Sequence, residues 1–218
     1  MTAPFRVHRG IAAPLLRVNV DTDCIIPGSE LLSVAKTGFG DGLFAGWRYV
    51  KGPGDRAENP EFVLNREPYR RATILLAGRN FACGSSREPA VWALRDFGFR
   101  CVIAPSFGFI FYANCFKNGV LAVELADERV EDLARQVEAS GGRDPLTVDL
   151  ERCVVIAPDG GEQGFTVAEN FRIALVEGRD FIDSTLQFES AITAFEERDR
   201  RRRPWIHEPP GRRSGPVA

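Results

Sequence analysis

Apolar and polar positions alternate along the middle of the chain in blocks that predict strands and helices in turn. The apolar runs TILLAGR (73–79), RCVIAP (100–105) and GVLAVEL (119–125) are short enough for buried strands. Each is followed by a longer segment in which apolar residues recur at helical spacing: 86–98, 106–118 and 127–140. Strands that alternate with helices across short connections are typical of a layered α/β fold with at least some parallel pairing.

The remaining segments predict further elements at both ends of the chain. PLLRVNVDTDCII (14–26) predicts a strand that runs into a polar turn, and SELLSVAKTG (29–38) predicts a short helix closed by a glycine. The Gly- and Pro-rich stretch that follows, through Pro60, is long enough to be a functional cover or an interface segment. Residues 145–170 predict a β-hairpin or meander, and a last helix is expected at about 184–197.

The segment NFACGSSREPAVWAL (80–94) joins a predicted strand to a predicted helix. Gly84 allows a tight turn and a close approach to a bound group. Ser85 and Glu88 have the spacing of a capping box, in which each side chain bonds to the other's backbone N–H at the helix start. Proline at Pro89 suits a first helical turn. An ordinary helix start is enough to explain these features, without a bound ligand.

Arg87 is not explained by that arrangement. A guanidinium in a first helical turn lies at the positive end of the helix dipole, where an anion is favoured instead. A bound carboxylate would remove the conflict and would pair with the guanidinium through two hydrogen bonds. Ser85 and Ser86 would then lie beside an acidic small molecule, with a serine as general base. The segment is not a G-x-S-x-G elbow or a P-loop, and with only two histidines a catalytic triad has few candidates.

Composition narrows the class of protein. The chain has 218 residues and a net charge of −2, so its overall charge does not favour nucleic acid or an anionic membrane. Its N-terminus lacks a signal-peptide core and no apolar run reaches transmembrane length, which predicts a cytoplasmic protein. The five cysteines form no C-x-x-C pair, which favours reduced thiols over a metal or iron–sulfur site made by this chain alone. The basic, proline-rich tail at 201–218 is interpreted as a solvated terminus in preference to a nucleic-acid or membrane patch.

The chain resembles a known family, the small subunits of 3-isopropylmalate dehydratase (isopropylmalate isomerase), which are swivel domains of the aconitase superfamily. The serine–arginine segment at 80–94 carries the first part of the resemblance. Further matching segments occur in order over residues 5–195, and only the tail is left uncovered. They are NVDTDCIIP (19–27), TGFGDGLFAGWRY (37–49), FVLNREPYRRATILLAGRNF (62–81), FIFYANCFKNGVL (109–121) and LQFESAITAFE (186–196).

The resemblance implies a three-layer β/β/α fold over residues 1–200 and a large-subunit partner that carries a [4Fe–4S] cluster. The implied reaction isomerises 2-isopropylmalate to 3-isopropylmalate through an alkene diacid, in leucine biosynthesis. Matched by motif position, two residues are expected to be catalytic: Ser85 removes the proton, and Asp23 supports a large-subunit histidine. The residues expected to bind the substrate are Arg87, Ser86, Gly84, Lys36 and Thr37.

The sequence departs from the family pattern at several positions. Pro89 replaces a histidine, and Cys24 replaces a glutamine and is expected to be a buried thiol. Leu32 and Ala35 replace basic residues in the 30–36 segment, which in the family contacts the variable part of the substrate. A related hydro-lyase acting on citramalate, dimethylmaleate or homocitrate is therefore a second hypothesis, and a non-catalytic binding module is a third.

Overall fold

The computed structural model describes residues 3–31, 36–50, 56–179 and 181–207. Residue contacts divide the chain after residue 180 into a large N-terminal unit and a smaller C-terminal one. Within these described ranges, no helix combines the length and apolar character needed to cross a membrane.

A parallel sheet of four strands, in the order β2-β3-β4-β5, lies at the centre of the N-terminal unit. Leu75 of β3 pairs with Val102 of β4 in the middle of the sheet, and every residue of β3 and β4 is buried. Full burial on both faces is expected for the central strands of a parallel sheet, and it explains their unbroken apolar runs. The strand bounds are Ala12–Leu15 (β2), Ile74–Ala77 (β3), Cys101–Ala104 (β4) and Leu121–Glu124 (β5).

An antiparallel sheet of four strands, in the order β1-β6-β7-β8, shares the hydrophobic core of the parallel sheet. The chain passes from β1 to β2 through the single residue Ile11, whose carbonyl accepts from the N–H groups of Thr73 and Ile74. Gly10 is required at this crossing, because a Cβ there would lie 2.0 Å from the Thr73 hydroxyl oxygen. The strand bounds are Val7–Gly10 (β1), Leu146–Asp149 (β6), Val154–Ile156 (β7) and Glu162–Gly164 (β8).

The helices of the N-terminal unit occur mainly as crossovers between parallel strands. The helix that follows β3 and the helix that follows β4 connect neighbouring strands, as expected for βαβ units. The helix after β5 packs across β2, β3 and β4. The helix bounds are Thr22–Ile25 (α1), Ala45–Arg48 (α2), Pro89–Phe97 (α3), Phe109–Lys117 (α4), Asp127–Ala139 (α5) and Glu169–Glu177 (α6).

The predicted layered α/β fold is confirmed, including the central alternation and the antiparallel meander at 145–170. Two local predictions are wrong, and one helix was missed. The strand predicted at 14–26 is Ala12–Leu15, and its polar turn begins α1. The helix predicted at 29–38 is a 3₁₀ turn at Gly28–Glu30, and residues 36 and 37 are not helical; residues 32–35 lie outside the described residues. Helix α6 was not predicted.

The C-terminal unit is helical over its described residues. Its helices are Phe181–Leu186 (α7), Glu189–Arg202 (α8) and Pro204–His207 (α9), where a single helix was predicted at about 184–197. Helix α8 continues through residue 200, the predicted domain boundary, and Asp199 accepts from Arg203 and His207. Of the tail, residues 208–218 lie outside the described part of the chain.

Candidate active site

Three loops that follow parallel strands are joined by backbone hydrogen bonds at the carboxyl edge of the sheet. The loop after β2 pairs with the loop after β3 through a parallel bridge between Asp21 and Cys83. The loop after β3 pairs in turn with the loop after β4 through a bridge between Phe81 and Phe107. In open α/β sheets this edge is where ligands bind, so the predicted site residues lie at the expected place.

The loop after β3 makes a tight turn at Cys83–Gly84–Ser85. The Ser85 N–H donates to the Cys83 carbonyl at 3.2 Å, and Gly84 between them has φ +89°. Only glycine adopts that backbone angle without strain. The turn leaves Gly84, Ser85 and Ser86 exposed at the edge of the sheet.

The predicted capping box is wrong. Helix α3 begins at Pro89, so its N-cap is Glu88, and no side chain caps its first turn. Ser85 lies three residues before that N-cap, and the Glu88 carboxylate accepts instead from the amide of Asn118 at 2.9 Å. Arg87 is therefore in the loop ahead of α3 and not in its first turn. Proline at the first helical position is confirmed.

Arg87 has an anionic partner within the chain. Its Nη1 donates to the Oδ1 of Asp23, the second residue of α1. The bridge between Asp21 and Cys83 brings α1 beside the serine turn, which is why residues 64 positions apart meet. The side chains of Arg87 and Asp23 are 34% and 58% exposed, so this ion pair lies open to solvent.

The start of α1 is set by Asp21. Its Oδ1 accepts from the Cys24 N–H at 2.7 Å, and this backbone hydrogen bond holds the pKa of the Asp21 carboxyl below its usual value. The half-buried Cys24 thiol has a raised pKa, first because of desolvation and then because of the Asp21 carboxylate. A raised thiol pKa opposes thiolate formation. The prediction of a buried thiol is wrong, because Cys24 lies in the first turn after the Asp21 cap, at the open edge of the sheet, and is only half-buried.

The segment around Lys36 lies along α3. The Nζ of Lys36 is 5.9 Å from the centre of the Trp92 ring, and its carbonyl accepts from Arg95 at 2.6 Å. Thr37 is exposed in the adjoining bend. The two predicted substrate-binding segments are therefore attached to the same helix, one before its first residue and one against its later turns.

A hydrogen-bonded group that the sequence did not indicate lies between these segments. Asn118, just after α4, bonds to both Glu88 and Trp92, at 2.9 and 3.0 Å. In the sequence, Asn118 followed by a glycine indicates only the end of a helix. Its partners lie 30 and 26 residues away, a distance at which spacing carries no signal.

The described residues offer poor ligands for an iron–sulfur cluster. No group of three or more His, Cys, Asp and Glu side chains in the described ranges is arranged to hold a metal ion. Cys101 and Cys115 are fully buried, and burial raises the pKa of both thiols. Cluster ligation needs thiolates, so these two side chains do not fit the role.

The arrangement as a whole suits recognition of a small acid on an open surface. It presents exposed serine hydroxyls, a guanidinium already paired with a carboxylate, and an ammonium from the segment that lies along α3. Phe109, 88% exposed, follows Gly108, whose Cα lies so close to the Ala82 carbonyl oxygen that a Cβ would approach it to 2.3 Å. Together with its exposed neighbour Ile110, Phe109 leaves apolar surface near the polar turn.

Comparison with known families gives matches along nearly the whole chain. A family model described as the aconitase C-terminal domain matches residues 2–128, and one described as LeuD_N matches residues 131–169. A third, described as the C-terminal domain of the 3-isopropylmalate dehydratase small subunit, matches residues 182–207.

Curated relatives match over similar lengths. A 3-isopropylmalate dehydratase small subunit of Cupriavidus necator is 52% identical over 204 residues, covering 94% of this chain and 98% of its own. One of Methylibium petroleiphilum is 49% identical over 209 residues, covering 93% and 96%. A crystal structure of 3-isopropylmalate dehydratase from Methanocaldococcus jannaschii superposes with a TM-score of 0.61 at 22% identity, over 87% of this chain and 99% of that one. This superposition supports the fold.

Proposed function

This chain belongs to the family of 3-isopropylmalate dehydratase small subunits, and we propose on that premise that its serine–arginine edge is one half of a hydro-lyase active site. The reaction is the isomerisation of 2-isopropylmalate to 3-isopropylmalate by dehydration and rehydration. The observation that carries the proposal is the exposed turn at Gly84–Arg87, held at the carboxyl edge of the parallel sheet.

Arg87 binds one carboxylate of the diacid in this proposal. Its planar guanidinium suits a carboxylate, and in the free chain it already pairs with the carboxylate of Asp23. When the substrate takes that place, Asp23 is released towards the partner subunit, where the family resemblance assigns it to a histidine. Ser86 and the Gly84 backbone hold the same end of the substrate, while Lys36 and Thr37 face its variable part.

Ser85 is the proposed base. The Oγ of Ser85, as the alkoxide, takes a proton from the carbon next to the one that carries the hydroxyl and becomes the neutral serine hydroxyl. The electron pair of that C–H bond forms the alkene as the C–O bond breaks and hydroxide leaves. Ser85 then returns the proton to the carbon that carried the hydroxyl, and hydroxide adds at the carbon that lost the proton, which gives the isomer and restores the alkoxide. A positioned general base contributes roughly 10²–10⁴-fold to such a step.

The other half of the site belongs to a large subunit in this proposal. Family membership implies that this partner holds a [4Fe–4S] cluster, which supplies a Lewis acid for the departing hydroxyl. The exposed Phe109 and the open position of Ser85 support a covering partner. The proposed assembly is a cytoplasmic heterodimer or a higher heteromer of such pairs, with no nucleic acid or membrane involved.

Reconstitution tests the proposal. The purified chain is combined with a cluster-loaded large subunit of the family, and the alkene diacid is followed by its ultraviolet absorbance. We expect turnover of 2-isopropylmalate that depends on both chains. Turnover of citramalate, dimethylmaleate or homocitrate without turnover of 2-isopropylmalate would support a related hydro-lyase instead, and turnover of none would oppose an enzymatic role.

A further inference from the structure

The Asn118 side chain uses all of its polar atoms in a buried position. It is 9% exposed and lies at the end of α4. Its Nδ2 donates to the Glu88 Oε1 and to the Asn114 carbonyl, both at 2.9 Å, and its Oδ1 accepts from the Trp92 Nε1 at 3.0 Å. Because an indole N–H is only a donor and an ionised carboxylate only an acceptor, these partners fix the orientation of the amide.

The donor group of this amide, Nδ2, holds the serine–arginine turn. Glu88 directly follows Arg87 and is the N-cap of α3, yet its carboxylate makes no bond to its own helix. Its bond to Asn118 ties the last residue of the turn to the end of α4. The bond therefore anchors the chain at Glu88, and the backbone of Arg87 and Ser86 leads directly into that anchored residue.

The acceptor atom of the amide, Oδ1, acts on the Lys36 segment. Asn118 accepts from the Trp92 indole N–H and so restrains the plane of the ring, and the Lys36 Nζ lies over that ring, 5.9 Å from its centre. Phe39, at the end of the same segment, packs on the ring with a centroid distance of 5.8 Å. The ring thus helps to position both residues, together with Arg95, which bonds to the Lys36 carbonyl, and Asp96, which accepts from the Phe39 N–H.

We propose that Asn118 is a positioning residue that sets the two substrate-binding segments relative to each other. It touches no substrate. It acts through Glu88 on the Arg87 turn and through Trp92 on the Lys36 segment. Its loss would therefore change the distance between groups that must bind the same diacid together. The inference rests on the proposed function, because the segments are named from the proposed substrate contacts.

The test uses the variant Asn118→Asp, which has the same shape. The aspartate still accepts from Trp92, but its second oxygen faces the Glu88 carboxylate and the Asn114 carbonyl without a proton to donate. The double variant Asn118→Asp with Glu88→Gln restores one bond with reversed polarity, since the glutamine amide donates to the aspartate. Glu88→Gln alone completes the double-mutant cycle. Val137→Ala shortens a buried side chain of α5 and leaves a cavity there, so it is the control for effects of lost stability alone.

Kinetics of the reconstituted enzyme supply the first measurement. We expect Asn118→Asp to raise KM about tenfold and to lower kcat, as displaced binding groups do, and the double variant to recover most of the KM. Val137→Ala is expected to lower the melting temperature without the change in KM. Wild-type kinetics in Asn118→Asp, a KM that Glu88→Gln does not restore, or an equal KM change in Val137→Ala would overturn the inference.

Amide hydrogen exchange on the intact isolated chain supplies a second measurement that needs no turnover. Asn118→Asp is expected to speed exchange in peptides covering residues 83–88 and 36–39 together, and the double variant to slow it again. Trp92→Phe, which keeps a ring under Lys36 and removes the N–H, is expected to speed exchange chiefly in 36–39. If the wild-type pair of subunits were inactive, the proposed function would fail, but hydrogen exchange would still test the positioning role of Asn118. Unchanged exchange in both peptides of Asn118→Asp would contradict that role.

Discussion

Arg87, in the loop ahead of α3, donates to the carboxylate of Asp23 in α1, so the guanidinium assigned to the substrate already holds a carboxylate of the chain itself. Both side chains are partly exposed, and solvent-exposed ion pairs contribute only about 0–1 kcal/mol. An incoming diacid therefore replaces Asp23 at little cost, and the pair keeps Arg87 in place until it does.

Asp23→Asn is expected to have opposite effects on the isolated chain and on the assembled enzyme. Without the competing carboxylate, the isolated chain should bind malate up to about fivefold more tightly, the equivalent of the upper value for an exposed ion pair. In the reconstituted enzyme kcat should fall, because Asp23 is assigned to the partner's histidine. Calorimetric titration and steady-state kinetics measure the two effects. Asp144→Asn, an exposed carboxylate outside the site, is the control, and unchanged or weaker malate binding in Asp23→Asn would contradict the competition.

Ser85→Ala is expected to lower kcat by about 10²–10⁴-fold, the contribution of a positioned general base. Ser85 is exposed and its hydroxyl fills no core position, so the melting temperature and subunit pairing should be unchanged. Steady-state rates and size-exclusion chromatography with the large subunit give both values. Ser190→Ala, an exposed serine of α8, is the matched control; a Ser85→Ala enzyme with near-wild-type kcat would remove Ser85 from the role of base.

Arg87→Lys is expected to raise KM more than it lowers kcat. An ammonium keeps the charge but cannot reproduce the planar two-bond contact with a carboxylate. The comparison of kcat and KM for the reconstituted enzyme measures the split, with Arg143→Lys as a remote control. A variant that keeps the wild-type KM would show that Arg87 does not bind the substrate carboxylate.

Gly84→Ala is expected to destabilise the fold by about 1 kcal/mol, because a side chain is disfavoured at φ +89°. The backbone would relax by opening the turn, so Ser85 would move and kcat would fall as well. Gly46→Ala is the matched control: a Cβ there meets nothing within 4 Å and lies in helix α2, where alanine is favoured. Chemical denaturation measures both, and equal stabilities would contradict the assigned strain.

His8 is expected to make the stability depend on pH near neutrality. Burial, with a smaller contribution from Arg100, lowers the pKa of His8 below 6.5, and its Nε2 lies 2.7 Å from the Thr73 hydroxyl oxygen. The unfolded chain then binds more protons than the folded one below about pH 6.5, so the free energy of unfolding falls as the pH decreases from about 7.5 to 5.5. Denaturation across this range should show a smaller slope in His8→Gln than in wild type, whereas His207→Gln should keep the His8 contribution. If the free energy of unfolding depended on pH equally in His8→Gln and in wild type, the assigned contribution of His8 would be contradicted.

The sequence predicts the central βαβ alternation because each of its elements is defined by residues close together in the chain. The apolar runs of β3, β4 and β5 are followed by long segments at helical spacing, so neither signal depends on distant partners. Helix α6 was missed although Gly178 ends it in a left-handed conformation, because the segment 163–170 was interpreted as a strand that continued to its first turn.

The candidate site shows where prediction from sequence stops. The Ser85–Arg87 turn was found from its residue types, but the capping box failed because Glu88 has a better partner in Asn118, 30 residues later. The pairing of Arg87 with Asp23 depends in the same way on how α1 is placed by the bridge at Cys83. Such contacts follow from the packing of loops and leave no local pattern.

The three loops of the site are joined through main-chain groups, at Asp21 with Cys83 and at Phe81 with Phe107. Any residue except proline can donate such a bond, so exposed side chains of these loops, such as Ser85 and Ser86, can be exchanged without loss of the backbone bonds that align the loops. Evolution can therefore exchange the side chains that meet the substrate while the scaffold beneath them is inherited unchanged. For directed evolution towards other diacids, the same feature directs mutagenesis to the exposed positions of these loops, with Gly84 and Gly108 kept and proline omitted.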